Sequence, residues 1–323
     1  MMAGALRKAV FLDVESVDNG DLDRRKLSAC LPVWEWHAFT AADEVAGRIA
    51  DADVVISNKC RLDGASLRAA RRLSLIAVAA TGTNNVDLDA AAAAGITVCN
   101  IRDYCSDSVA QHAITLMLNL LTGQPWYWQD VRAGRWSRSR HFSLHSRNIR
   151  EARGLNFGVV GYGTLGRATA QRSRALGMQL LIAERRGRAP RPGRAAFEET
   201  VRKADVLSLH CPLTADTRHL IDREVLSAMK PDALLINTAR GEVVHARDLA
   251  DALRAGLLGG AGIDTLDREP PPVDHPLLQA DIPGLLVTPH NAWASRSGRQ
   301  AALDQLADVV AAHRRGNAIN RVL

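Results

Sequence analysis

Three short segments combine residue types suited to reducing a 2-oxo acid. They are Asn237-Thr238-Ala239-Arg240-Gly241, Asp264-Thr265-Leu266-Asp267-Arg268-Glu269-Pro270 and Thr288-Pro289-His290-Asn291-Ala292-Trp293. Such a substrate presents a carboxylate, and the planar fork of Arg240 matches it. Its carbonyl oxygen needs a proton as hydride arrives, and histidine titrates in the range of a general acid, which points to His290. A carboxylate such as Glu269 would orient that imidazole and favour its charged form. Each residue also has a plainer reading on its own: a surface arginine, a solvated loop carboxylate, a structural histidine. Each segment follows an apolar run (234–236, 262–263 and 285–287), which places it at the carboxyl edge of a sheet. Open α/β folds bind their ligands at that edge.

A hydride donor has its own signature. Gly161-Tyr162-Gly163-Thr164-Leu165-Gly166 reads G-x-G-x-x-G between an expected strand at 157–160 and an expected helix at 164–176. The first glycine allows a tight turn, the second lets backbone approach a pyrophosphate, and the third lets helix pack on strand. The helix start then offers N–H groups to the phosphate charge. Glu184 follows the next strand, where a carboxylate accepts from the ribose hydroxyls and repels a 2′-phosphate. The cofactor expected is therefore NAD, with room left for NADP by Arg185 and Arg186.

The elements that must position these groups recur along the whole chain. Apolar runs at 9–12, 54–56, 75–78 and 96–98 read as buried parallel strands with helical segments between them. A long helix is expected at 106–121, and from Trp126 to Arg153 the pattern fails. Trp126, Trp128, Trp136 and Phe142 would be costly to leave in water, so this stretch is read as an arm reaching a second subunit. Six strands (157–160, 180–182, 206–209, 234–236, 262–263, 285–287) then form a doubly wound sheet, and a final helix covers about 301–315.

Composition narrows the class. At roughly 100–200 residues per domain, 323 residues predict two domains. The first apolar run ends at Asp13, too early for a signal peptide, and the uncharged stretch at 108–129 carries Gln111, His112, Asn119 and Gln124, too polar to span a bilayer. Five cysteines without a Cys-x-x-Cys pair argue against a disulfide framework or a zinc site, so no metal is expected and the cytoplasm is the expected location. The net charge of +6 comes from scattered arginines with no nucleic-acid motif, so neither nucleic acid nor membrane is an expected partner. A basic surface instead suits small anionic substrates.

With Ala79-Ala80-Thr81-Gly82-Thr83-Asn84-Asn85-Val86-Asp87, Tyr104-Cys105-Ser106-Asp107-Ser108-Val109-Ala110-Gln111-His112 and His210-Cys211-Pro212-Leu213-Thr214 added, the chain resembles the D-isomer-specific 2-hydroxyacid dehydrogenase family over nearly its whole length. Its wording is most similar to the glycerate dehydrogenase and hydroxypyruvate reductase members. The resemblance implies an α/β fold of two doubly wound parallel-sheet domains, a Rossmann cofactor domain (103–294) inserted in a flavodoxin-like substrate domain (1–102 and 295–323). The family's arginine, glutamate and histidine fall on Arg240, Glu269 and His290. Val109, Thr164, Leu165, Glu184, Cys211, Pro212, Thr217, Thr238, Ala239 and Asp264 are implied to line the NAD site, with Asp264 on the nicotinamide carboxamide. Arg240 and His290 border that site as well. Backbone N–H groups around Thr81 and Gly82 are implied to take the substrate carboxylate with Arg240.

A homodimer joined through the cofactor domains is implied too, consistent with the aromatic arm. Many members read Arg-Gly-Gly-x-Val-Asp where this chain has Arg240-Gly241-Glu242-Val243-Val244-His245, and isoleucine is common where Asn291 stands. The expected reaction is hydride transfer between NAD(H) and a small 2-oxo or 2-hydroxy acid, with hydroxypyruvate and glyoxylate leading. The alternatives are a bulkier 2-oxo acid, or a non-catalytic NAD-sensing protein on the same fold.

Overall fold

The computed structural model describes residues 6–323. The chain forms two compact units. One runs to Cys105 and resumes over Ala294–Leu323, and the other is Ser106–Trp293. Residues 1–5, which open the first segment of the expected substrate domain, lie outside the described residues.

The first unit is built on a parallel sheet of five strands: β1 (Lys8–Phe11), β2 (Val33–Trp36), β3 (Val54–Ser57), β4 (Leu75–Val78) and β5 (Thr97–Cys99), in the order β2-β1-β3-β4-β5. Its strands are apolar at consecutive positions because both faces are covered. Phe11, Ile56 and Leu75 point into one core, and Val10, Val55 and Ile76 into the other. Burying each such side chain stabilises by roughly 1.5–3 kcal/mol. The terminal helix Arg296–Arg314 supplies Leu303, Leu306 and Val310 to the first of these cores. It starts before the expected position, where the Ser295 hydroxyl caps it by accepting from Gly298 N at 3.1 Å. The reading of the sequence has no strand at Val33–Trp36. This is an edge strand in which Glu35 separates two stacked tryptophans, Trp34 and Trp36, with ring centroids 4.8 Å apart.

The second unit carries six parallel strands: β6 (Asn156–Val160), β7 (Gln179–Ala183), β8 (Val206–Leu209), β9 (Leu234–Asn237), β10 (Gly260–Ile263) and β11 (Leu285–Val287), in the order β11-β10-β9-β8-β6-β7. Strand order reverses at β6, which makes this the switch point where a doubly wound sheet opens a crevice. Register aligns the strand ends. Val160 lies level with Ala183 and Leu209, Leu209 with Asn237, Asn237 with Ile263, and Ile263 with Val287. The next residue of each strand, namely Gly161, Glu184, His210, Thr238, Asp264 and Thr288, therefore falls on one edge.

One detail differs from expectation. The stretch from Trp126 to Arg153 is not irregular throughout. Its first part is the helix Gln124–Arg132, which Pro125 helps to start after Gly123 in a left-handed turn. Arg147 and Arg132 lie over the rings of Trp126 and Trp128, 5.5 and 4.8 Å from the centroids. Beyond it the chain is irregular, and Phe142 is 94% exposed. Among the described residues, no helix is long and apolar enough to cross a membrane.

Candidate active site

The glycine-rich turn after β6 requires glycine at Gly161 and Gly166 and leaves open space at Gly163. Gly161 has φ +90°, and a Cβ there would stand 2.5 Å from the Cys211 backbone nitrogen. The β6 and β8 loops touch at that point, and only glycine permits it. At Gly166 a Cβ would lie 2.0 Å from Gly161 O, so the helix Thr164–Ala175 packs directly on the turn. At Gly163 a Cβ would meet nothing within 4 Å. The chain leaves space above that backbone, as a pyrophosphate at a helix start needs. Tyr162 is half-buried in the same turn, and Thr164 and Leu165 begin the helix.

Other expected cofactor residues fall around the same edge. Val109 is buried on the helix Ser106–Thr122. Cys211 is buried, and desolvation pushes its thiol up to about 11, so it stays protonated. The Thr217 hydroxyl donates to Pro212 O (2.6 Å) and ties that turn together. Thr238 and Ala239 are buried after β9, and Thr238 Oγ1 is a buried polar atom without a partner. An orphaned hydroxyl on the same strand-end edge as the glycine-rich turn suits a ligand that hydrogen-bonds it. The residues present fit a dinucleotide.

Two expectations at this edge take a different form. Glu184 does not present an open carboxylate. It is 3% exposed, and the Arg191 guanidinium grips it in a fork, Nε to Oε2 at 2.6 Å and Nη2 to Oε1 at 2.8 Å. That pairing holds the carboxyl down at about 2. Arg186, read as a phosphate ligand, instead faces Glu224 (3.3 Å), Glu198 and Asp222 (3.8 Å each).

Asp264 is 1% exposed and serves the loop that carries His290. Its Oδ1 accepts from Thr288 Oγ1 (2.6 Å) and Asn291 N (3.1 Å), and its Oδ2 from Ala292 N (3.0 Å). Any contact with a carboxamide would share these oxygens. His112 Nε2 lies 2.9 Å from Thr288 Oγ1 and extends the network to a helix.

This support matters because His290 has φ 51°, in the left-handed region that costs a non-glycine residue energy. Its N–H donates to Asp264 O (2.8 Å), and its carbonyl accepts from Trp293 Nε1 (2.9 Å). The imidazole Nδ1 meets Glu269 Oε2 at 2.6 Å, while Glu269 Oε1 accepts from Leu266 N at 2.9 Å. An ionised carboxylate can only accept, so Nδ1 carries the proton of that bond and Nε2 is left for a substrate oxygen.

Arg240 is exposed at the end of β9, and its Nη1 donates to Ala239 O (2.7 Å). Asn237 shapes the turn: its Nδ2 donates to Arg240 O and its Oδ1 accepts from Ala239 N. At Gly241 a Cβ would stand 1.9 Å from the Leu266 carbonyl carbon, so the arginine loop lies directly against the loop that leads to Glu269. Gly241→Ala is expected to separate these loops and to lower the thermal midpoint by several degrees, with loss of turnover. A thermal melt beside an activity assay checks it, and an unchanged melt would show the contact to be slack. Thr81 and Gly82 belong to the first unit, past β4. There the Thr81 hydroxyl donates to Ile101 O (3.1 Å), and Thr81 O accepts from Asn100 Nδ2 (2.7 Å). Among the described residues, no group of three or more His, Cys, Asp or Glu could hold a metal ion.

A dinucleotide turn and a carboxylate-oriented histidine on one sheet edge define a nicotinamide-dependent dehydrogenase. Residues 114–292 match the model of the D-isomer specific 2-hydroxyacid dehydrogenase NAD binding domain. Glycerate dehydrogenase of Methylorubrum extorquens is 40% identical, covering 98% of this chain and 99% of its own. Hydroxypyruvate reductase of Blautia hydrogenotrophica is 32% identical, over 98% and 99% respectively. Among solved structures, an NADPH-dependent glyoxylate/hydroxypyruvate reductase from Sinorhizobium meliloti, in complex with NADP and malonate, is 30% identical. It superposes with a TM-score of 0.79 over 98% of this chain and 96% of its own. The chain belongs to the D-isomer specific 2-hydroxyacid dehydrogenase family.

Proposed function

We propose that the chain reduces small 2-oxo acids with a nicotinamide dinucleotide, taking hydroxypyruvate to D-glycerate and glyoxylate to glycolate. The observation that carries this reading is the 2.6 Å contact of His290 with Glu269 on the strand-end edge that also bears the glycine-rich turn. Arg240 takes the substrate carboxylate in its fork. His290 gives a proton from Nε2 to the carbonyl oxygen, and Glu269 keeps the ring in place through Nδ1. The bound reduced nicotinamide supplies the hydride. The names of the M. extorquens, B. hydrogenotrophica and S. meliloti relatives support these substrates.

The same reading makes the protein a homodimer through the cofactor unit, a role supported by exposed Trp128, Trp136 and Phe142 on the segment after the helix Ser106–Thr122. Cys30, Cys60, Cys99 and Cys211 are thiols, in keeping with a cytoplasmic location. A panel of 2-oxo acids, small and phenyl-bearing, followed by loss of reduced-nicotinamide absorbance, tests the function. Turnover should be fastest with hydroxypyruvate or glyoxylate. Faster turnover of the phenyl acids would reassign the substrate, and none with any acid would leave a binding protein.

A further inference from the structure

The end of β7 decides which dinucleotide fits, and its charges are arranged unusually. Val160 and Ala183 are paired in the sheet, so Glu184 stands beside Gly161, next to the glycine-rich turn. A carboxylate there discriminates against a 2′-phosphate only if its charge and lone pairs face the ribose. In this chain both oxygens of Glu184 are taken. Arg191 forks onto them, Arg185 N donates to Oε1 at 3.0 Å, and Arg194 Nη1 lies 3.8 Å away. The Arg191 side chain is nevertheless 60% exposed, on the glycine- and proline-containing loop between β7 and the helix Phe197–Lys203. Its charge is therefore both compensating the carboxylate and accessible to an incoming anion. Arg185 is exposed on the same rim, whereas Arg186 is drawn toward three other carboxylates.

We propose that Arg191 is the specificity-determining residue for the dinucleotide. By clamping Glu184 it cancels the negative charge that would reject a 2′-phosphate, and with Arg185 it offers that phosphate a guanidinium pair. The chain then binds NADPH as well as NADH. A guanidinium suits both tasks, because its Nε and Nη2 hold Glu184 while its outer edge at Nη1 can meet a phosphate. The proposal rests on the dinucleotide reading of the glycine-rich turn, and not on the acid that is reduced.

Direct titration of the full chain with NADH and with NADPH, without substrate, separates the two. The wild-type protein should bind both with dissociation constants within about tenfold of each other. Arg191→Ala should lower the NADPH-to-NADH preference by about tenfold or more, as loss of a charge-assisted contact to phosphate implies. Arg191→Lys, which keeps the charge and loses the fork, should recover part of that preference. Arg191 is on an exposed loop, so these variants should fold. A wild-type chain that binds NADH and rejects NADPH overturns the proposal, as does an Arg191→Ala chain with unchanged preference. Failure of NADH itself to bind would sink the dinucleotide reading along with it.

Discussion

Replacing His290 with alanine should lower kcat for hydroxypyruvate by about two to four orders of magnitude while reduced nicotinamide still binds. The size follows from the role. A positioned proton donor is worth that much in the transition state and nearly nothing in holding the cofactor. The structure also makes the residue hard to replace. Its backbone sits in the left-handed region, its N–H and carbonyl are both used, and Glu269 fixes one ring nitrogen. Water is expected to serve in its place. Steady-state kinetics with a parallel cofactor titration reads both halves of the prediction. If kcat stays within about threefold of wild type, the proton comes from elsewhere.

Arg240→Ala should raise KM for the acid by about a hundredfold and lower kcat as well. A double effect is expected because the guanidinium does more than bind. It fixes the direction from which the carbonyl meets the imidazole, and misdirection costs rate even at saturation. Arg240→Lys should recover part of KM and little of kcat, since a single ammonium cannot reproduce the planar fork. Esters of the same 2-oxo acids provide the control: they lack the charge, so the two enzymes should differ far less on them. Equal losses on ester and acid would assign Arg240 to the loop instead of the substrate.

Much of this is legible before any coordinates. Buried parallel strands carry apolar residues at consecutive positions, and β6, β8 and β9 of the second unit announce themselves in that way, whereas β10 shows only Gly262-Ile263. Once they are placed, the motifs at 161–166, 237–241, 264–270 and 288–293 fall on strand ends without further argument. Edge elements are harder. Val33–Trp36 is interrupted by Glu35 because one side of an edge strand needs no second partner. The helix Gln124–Arg132 mixes tryptophan with arginine, so its period is lost in a composition count.

The hardest to read are contacts between loops. Glu184 reads as an open acceptor because nothing in a chain of letters says that Arg191, across a glycine- and proline-rich turn, folds back onto it. The support that Asp264 and Thr288 give to the His290 loop depends in the same way on β10 and β11 being neighbours in register.

The space above Gly163 has a consequence for how this molecule could change. With no side chain at Gly163, a diphosphate there would meet main chain, which does not distinguish what lies beyond it. On the Arg191 proposal, discrimination falls instead to a ribbon after β7 on which Arg185 and Arg191 are solvent-facing. Preference for one coenzyme over another is thus a detachable trait, alterable by a few surface replacements while the reductive apparatus stays as it is.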